Sequence, residues 1–241
     1  MLEKLKIKLF ADGADISEIK ELSKNELIKG FTTNPSLMKK SGVKDYKKFA
    51  QDITKIIVDK PISFEVFADD LGEMEKQALE IAKWGNNINV KIPITNTKGQ
   101  PTKDLIKSLS KKKVICNVTA IFTTKQLEEV VDVLSTDTSA ILSVFAGRIA
   151  DTGKDPMDIM KESVKIAKSK PLTSVLWAST REILNIFQAE LAGCQIITVP
   201  HEIIKKFKGI GKDLNSISLD TVKMFHLDAR SADFKIDIND K

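Results

Sequence analysis

Lys91 stands inside the apolar run Ile88-Asn89-Val90-Lys91-Ile92-Pro93-Ile94-Thr95, a setting in which a lysine can do covalent chemistry. Gly85 to Asn87 precede the run and Pro93 closes it, so it reads as a buried strand of the kind found in parallel sheets covered on both faces. A lysine there is expected to be partly desolvated. Desolvation disfavours an ammonium ion, and only a neutral amine attacks a carbonyl to form a Schiff base. The ordinary alternative is a strand-end lysine whose head reaches water. What the rest of the chain brings to the same place decides between the two.

Other groups able to act as acid, base, amide or anion clamp recur along the chain: Asp12, Thr33, Asn34, Glu65, Asn117, Thr119, Ser143, Arg148, Ser179 and Arg181. Each has an ordinary alternative: Asp12 could cap a helix, Asn34-Pro35 could be only a turn, and Glu65 could pair with a surface lysine. Their common feature is where they fall relative to the repeating elements.

Strand-like and helix-like segments alternate throughout, with short breaks between them. Ile7 to Asp12 reads as the first strand, and Asp15-x-x-Glu18 as a capping box before Ile16, Ile19 and Leu22. Gly30 to Thr33 is the second strand, followed by the helical stripe Tyr46, Phe49, Ala50, Ile53 and Ile57. Ile62 to Phe67 is the third, with Leu71, Met74, Ala78 and Ile81 after it, and the Lys91 run is the fourth, followed by a helix from Thr102 to Leu109. Val114 to Val118 is the fifth, and Thr123-x-x-Gln126 caps the stripe Leu127, Val130, Val131 and Leu134. Ala140 to Phe145 is the sixth, and Asp155-Pro156 opens a helix through Met157, Met160, Val164 and Ala167. Val175 to Ala178 is the seventh, with a helix stopped at Gly193, and Gln195 to Val199 is the eighth, before a helix from His201 to Phe207.

Eight strand-helix pairs within 241 residues predict an α/β protein, a single (β/α)8 TIM barrel over residues 1–241. Residues 214–241 are expected to add a C-terminal helix, through Ser218 to Leu227, and a polar tail after Arg230. Active sites on this fold lie at the C-terminal ends of the strands. Asp12, Thr33 with Asn34, Glu65, Lys91, Asn117 with Thr119, Ser143 with Arg148, and Ser179 with Arg181 all fall at or just beyond strand ends.

Composition removes several function classes. No stretch approaches the length of a membrane span and no signal-peptide core opens the chain, so the cytoplasm is the default location and no membrane partner is expected. Cys116 and Cys194 form no Cys-x-x-Cys pair and read as reduced core residues. The net charge of +5 comes from scattered patches such as Lys39-Lys40, Lys111 to Lys113 and Lys205-Lys206, with no interleaved aromatics. That argues against nucleic acid, while a basic balance suits a phosphorylated substrate. Gly147 to Lys154 lacks the glycine spacing and the Ser or Thr of a phosphate loop, and His201 and His226 have no metal-ligand spacing. Asn117-Val118-Thr119 is formally a glycosylation acceptor, but it sits at a strand end in a chain without a secretion signal.

Five motifs then carry a family resemblance: Gly30-Phe31-Thr32-Thr33-Asn34-Pro35-Ser36, Val90-Lys91-Ile92-Pro93-Ile94-Thr95, Asn117-Val118-Thr119, Ser143-Val144-Phe145-Ala146-Gly147-Arg148 and Ala178-Ser179-Thr180-Arg181. The chain resembles the short-form transaldolases, the family that also holds the fructose-6-phosphate aldolases. It departs from the usual pattern at Gly13, where Thr or Ser is common, at the bulky Phe31 and at Val144, often proline, which bears on fine substrate positioning. The resemblance implies that Lys91 forms a Schiff base with a ketose phosphate, that Asp12 takes the C4-hydroxyl proton, and that Glu65 and Thr119 hold a proton-shuttling water. It implies that Thr33, Asn34, Asn117, Ser143 and Phe145 line the substrate site, and that Arg148, Ser179 and Arg181 hold the phosphate. No metal and no cofactor is implied, because the iminium is itself the electron sink. Small-subunit relatives suggest a homo-oligomer. The activity implied is transfer of a dihydroxyacetone unit from a ketose phosphate to an aldose phosphate, as in the pentose phosphate pathway. Release of free dihydroxyacetone by an aldolase, and an inactive barrel that only binds phosphorylated ligands, are the alternatives.

Overall fold

The computed structural model describes residues 2–236, and within them eight parallel strands close into a barrel in sequence order, β1 to β8. The strands are β1 (Lys8–Asp12), β2 (Ile28–Thr32), β3 (Ile62–Glu65), β4 (Ile88–Pro93), β5 (Cys116–Ile121), β6 (Ala140–Val144), β7 (Thr173–Trp177) and β8 (Ile196–Pro200). Between them run α1 (Ile16–Ser23), α2 (Pro35–Lys40), α3 (Tyr46–Ile56), α4 (Leu71–Ile81), α5 (Lys103–Lys111), α6 (Thr124–Val131), α7 (Ala146–Ala150), α8 (Met157–Ala167) and α9 (Leu184–Ala192). After β8 come α10 (His201–Ile204) and α11 (Leu214–Ser231). This is the expected (β/α)8 barrel, with an extra C-terminal helix.

Local signals start and stop many of these elements, while β2 starts earlier and β5 runs later than expected, and the helix from His201 is α-helical only to Ile204. The side chains of Asp15, Asn34, Asp45 and Asp70 accept the backbone N–H three residues on, and Thr123 with Gln126 makes a reciprocal capping box. Gly193 closes α9 in the left-handed conformation at φ 82°. The C-terminal helix extends beyond the expected Ser218 to Leu227 at both ends, and Asp213 caps its start by accepting from Ser216 N–H. It buries none of its residues, and Phe234 and Ile236 beyond it are exposed. The rest of the expected polar tail, 237–241, lies outside the described residues.

Strand periodicity sorts side chains into two cores. Residues facing outward, such as Ile28, Ile62, Phe64, Val90, Ile92, Val118, Leu142, Val175 and Ile197, are almost fully buried under the helices. The inward set alternates with them. Phe10, Ile141, Leu176, Ala178 and Ile196 form a separate apolar cluster inside the barrel, with Phe145 against it. Gly30 makes room for it: a Cβ at that position would come within 2.5 Å of the Phe10 ring. On the other side of the barrel interior Ser63, Asn89 and Asn117 are buried polar residues. Below the strand ends the interior is thus apolar where this cluster sits and polar toward β3, β4 and β5, while Asp12, Ser143 and Thr198 add polar groups from β1, β6 and β8 nearer the mouth.

Candidate active site

Lys91 faces the barrel interior because Val90 and Ile92, its neighbours on β4, face the helices. Only 6% of it is exposed. Parallel register sets Glu65 on β3 directly beside Lys91, and the Lys91 ammonium lies 3.2 Å from the Glu65 carboxylate. It also donates to the Thr33 carbonyl at 2.9 Å. The expected desolvation is therefore present, together with a carboxylate able to exchange a proton with the amine.

Asp12 ends β1 and accepts a hydrogen bond from the Thr32 hydroxyl at 2.8 Å, and that hydroxyl in turn touches the Thr198 hydroxyl on β8. Burial pushes the Asp12 carboxyl above its ordinary range, opposed by the Lys91 charge and the Thr32 hydrogen bond and reinforced by Glu65. The Asp12 carboxyl thus feels the charges of both Lys91 and Glu65 across the cavity.

On β5 and β6 a buried chain of hydrogen bonds links Ser143 to Asn117 at 2.6 Å and Asn117 to Ser63 at 3.0 Å. Thr119 lies one inward step above Asn117, and its buried hydroxyl has no hydrogen-bond partner among the described residues. A buried hydroxyl left in that state is ready for a water or a ligand. The next residue, Ala120, takes a left-handed φ of 60°, and the β5–β6 register shifts between Val118 and Ile121. Non-glycine residues held in that region concentrate at functional sites.

The rim above β6 and β7 is cationic. The guanidinium of Arg148 sits 5.6 Å over the Phe145 ring. Arg181 makes a two-pronged pair with Asp151 at 3.2 and 2.5 Å, and these hydrogen bonds hold the Asp151 carboxyl below its ordinary range. Ser179, between the two arginines, also has a left-handed φ, at 64°. Gly147 is what lets these segments meet: a Cβ there would lie 1.6 Å from the Ser179 carbonyl oxygen.

These groups surround one cavity of about 420 Å3 at the C-terminal mouth of the barrel. Of the expected residues, Asp12, Asn34, Glu65, Lys91, Thr119, Ser143, Phe145, Arg148, Ser179 and Arg181 line it. Thr33 and Asn117 stand back from it. The Thr33 side chain donates to the Ser63 carbonyl, so this residue reaches the site through its own carbonyl on Lys91, and Asn117 lies beneath Ser143. Thr32 and Thr198 line the cavity without having been singled out, although both lie on the inward face by strand alternation. Asp151 and Tyr46 were also passed over, since their partners lie 30 and 19 residues away. Among the described residues no group of three or more His, Cys, Asp or Glu is arranged to hold a metal.

Residues 9–241 match the family model described as Transaldolase/Fructose-6-phosphate aldolase. A probable transaldolase of Dehalococcoides mccartyi is 39% identical over 199 residues, covering 82% of this chain and 88% of that protein. Probable transaldolases of Thermoanaerobacter sp. and Methanococcus maripaludis are 37% and 35% identical, covering 82% and 83% of this chain and 88% and 89% of theirs. Among solved structures, KGPDC from Streptococcus mutans superposes with a TM-score of 0.55 at 13% identity, covering 84% of this chain and 91% of that one. Dihydrodipicolinate synthase from Rhodopseudomonas palustris gives 0.53 at 13% identity, covering 83% and 71%. At that identity the structural likeness speaks for the barrel alone, whereas the sequence relatives speak for the family: the chain belongs to the transaldolase/fructose-6-phosphate aldolase family.

Proposed function

We propose that the protein is a transaldolase that moves a dihydroxyacetone unit from fructose 6-phosphate or sedoheptulose 7-phosphate to an aldose phosphate through a Schiff base on Lys91. The observation that carries this reading is the buried Lys91 held between the Glu65 carboxylate and the Thr33 carbonyl in a cavity also lined by Asp12. Glu65, in contact with the ammonium, would take a proton from it and free the amine to add to the C2 carbonyl. Loss of water from the carbinolamine leaves an iminium, and the unpartnered Thr119 hydroxyl is placed to hold that water. Asp12 then removes the C4-hydroxyl proton, the C3–C4 bond breaks, and its electrons pass into the iminium to give an enamine. The aldehyde phosphate leaves. The enamine attacks the carbonyl of an incoming aldose phosphate, Asp12 returns its proton to the new hydroxyl, and water releases the product ketose. Arg148, Ser179 and Arg181 would hold the phosphate, where guanidinium forks suit a multidentate oxyanion.

Borohydride added during turnover of fructose 6-phosphate tests this directly. The expected outcome is a stable adduct on the peptide containing Lys91; an adduct on another lysine, or none, overturns both the transferase and the aldolase reading.

A further inference from the structure

Strand β2 stops short beside β3, and the consequence falls on Glu65. The ladder between them pairs only Phe31 with Ile62 and Thr32 with Ser63, because Asn34 and Pro35 turn the chain into α2. On that side Phe31 N–H donates to the Pro61 carbonyl and Thr33 N–H to the Ser63 carbonyl. Continuing the alternation, the N–H and carbonyl of Glu65 face the same side, where no strand remains. Two backbone groups left without partners on a part-buried strand end would be destabilising.

Tyr46, the first residue of α3, fills the gap with a single atom. Its hydroxyl accepts from Glu65 N–H at 2.7 Å and donates to the Glu65 carbonyl at 2.9 Å. The ring that carries it is fixed edge-on by Phe64 and Trp84, with centroids 5.9 and 5.4 Å away, and tilted against Phe67 at 4.3 Å. Burial raises the phenol well above its ordinary range, so it keeps the proton it donates at any working pH. Packing alone would be met by phenylalanine; the hydroxyl is an addition whose partners are the two backbone groups of one residue.

We propose that Tyr46 is a positioning residue for the reaction: its hydroxyl stands in for the missing strand beside Glu65 and so fixes the Glu65 carboxylate against Lys91. This rests on the Schiff-base reading, in which Glu65 exchanges a proton with Lys91. Without the hydroxyl the Glu65 end of β3 is held from the β4 side alone, where Val66 N–H donates to the Lys91 carbonyl; the carboxylate is less firmly placed, and proton exchange with the amine slows although no group touching substrate has changed.

The test compares the rate at which borohydride traps fructose 6-phosphate on wild type, Tyr46→Phe, Glu65→Ala and the double variant, with inorganic phosphate binding measured alongside. Tyr46→Phe is expected to trap roughly tenfold to a hundredfold more slowly, the scale of a misplaced catalytic group, with phosphate binding unchanged. In the Glu65→Ala background the same substitution is expected to have no further effect. A wild-type trapping rate in Tyr46→Phe, or an equal fractional loss in both backgrounds, overturns the positioning role while leaving the Lys91 chemistry standing. Absence of any adduct in wild type instead overturns the functional reading, which keeps the two failures distinct. Should Tyr46→Phe fail to fold, 3-fluorotyrosine at this single tyrosine keeps both ring and hydroxyl but weakens the hydroxyl as an acceptor. Slower trapping then supports the proposal, and an unchanged rate overturns it.

Discussion

Glu65 and Lys91 face each other across the β3–β4 ladder, and their side chains meet at 3.2 Å with only 17% and 8% of their surfaces exposed. An ion pair this far from water is a poor device for stability alone, since its attraction is largely offset by desolvation. For the Schiff-base reaction proposed above, its value would be proximity: a base already in contact with the amine would shorten the first proton transfer to a single step. The Thr33 carbonyl holds the amine from the other side, so both oxygens act on one rotamer of Lys91.

Asp12 offers a separation of stability from activity. Its folded pKa is raised above the ordinary 3.8 by burial, so the folded state resists ionisation that the unfolded chain undergoes freely. Stability from this group is therefore greatest below the unfolded value and is lost as pH rises through the folded one. Asp12→Asn should raise Tm at neutral pH, and the gap should close below about pH 3.8. The same variant should lose carbon–carbon cleavage yet still form the imine. Mass spectrometry of the borohydride adduct would then find the intact six-carbon phosphate on Lys91. A three-carbon adduct, or a Tm no higher than wild type at neutral pH, contradicts the assignment.

The fold was legible because apolar runs, caps and Gly193 are local signals, and the strand ends followed from them. The β5 end was not: the run Val114 to Val118 gives no sign that Ala120 turns left-handed and that pairing resumes at Ile121. Residue type alone drew attention to Glu65, but its contact with Lys91 depends on register between β3 and β4. Tyr46 was hidden more completely. At helical spacing it counts as one apolar position among five, and only the early end of β2 gives its hydroxyl a task. Thr33 and Asn117 show the opposite limit, since a motif places a residue near the site without saying which of its atoms reaches the cavity.

Gly147→Ala tests the contact that brings the two halves of the cationic rim together. The added methyl would meet the Ser179 carbonyl oxygen, a backbone atom that cannot swing aside. The expected cost is about 3 kcal/mol, the upper end of the usual range for overpacking. At about 2–4 °C per kcal/mol for a chain of this size, Tm should fall by roughly 6–12 °C. Because Ser179 and Arg181 move with the strained segment, KM for phosphorylated substrate should rise as well. Thermal melts and KM both equal to wild type would show that the backbone yields without cost.

Arg181→Ala distinguishes a phosphate clamp from a surface pair. Arg181 already holds Asp151, and exposed pairs of that kind contribute little to stability, so the variant should melt close to wild type. A charge-assisted hydrogen bond to phosphate contributes about 1.5–3 kcal/mol, which corresponds to roughly a tenfold to hundredfold rise in KM for fructose 6-phosphate. Activity on the unphosphorylated ketose should change far less. Equal losses on the two substrates would remove Arg181 from the phosphate site.

Phe145 bears on whether the enamine waits for an acceptor or is lost to water. The ring lines the cavity between Phe122, 5.7 Å away, and the guanidinium of Arg148. It supplies no hydroxyl, and hydrolysis of the dihydroxyacetone imine needs a proton donor beside a well-placed water. The Thr119 hydroxyl on the neighbouring β5 can hold such a water, but position 145 offers no hydroxyl to donate a proton beside it. Transfer from fructose 6-phosphate to erythrose 4-phosphate should therefore greatly outrun dihydroxyacetone release in the absence of an acceptor. Phe145→Tyr adds the hydroxyl with little change in ring packing and should raise release relative to transfer, by about the hundredfold or more that a positioned acid contributes if the geometry is good. Both rates measured on both proteins decide the matter. Rapid acceptor-independent release by the wild type contradicts the transferase assignment in favour of the aldolase. An unchanged ratio in Phe145→Tyr means that acceptor geometry, and not control of water by this ring, sets the outcome.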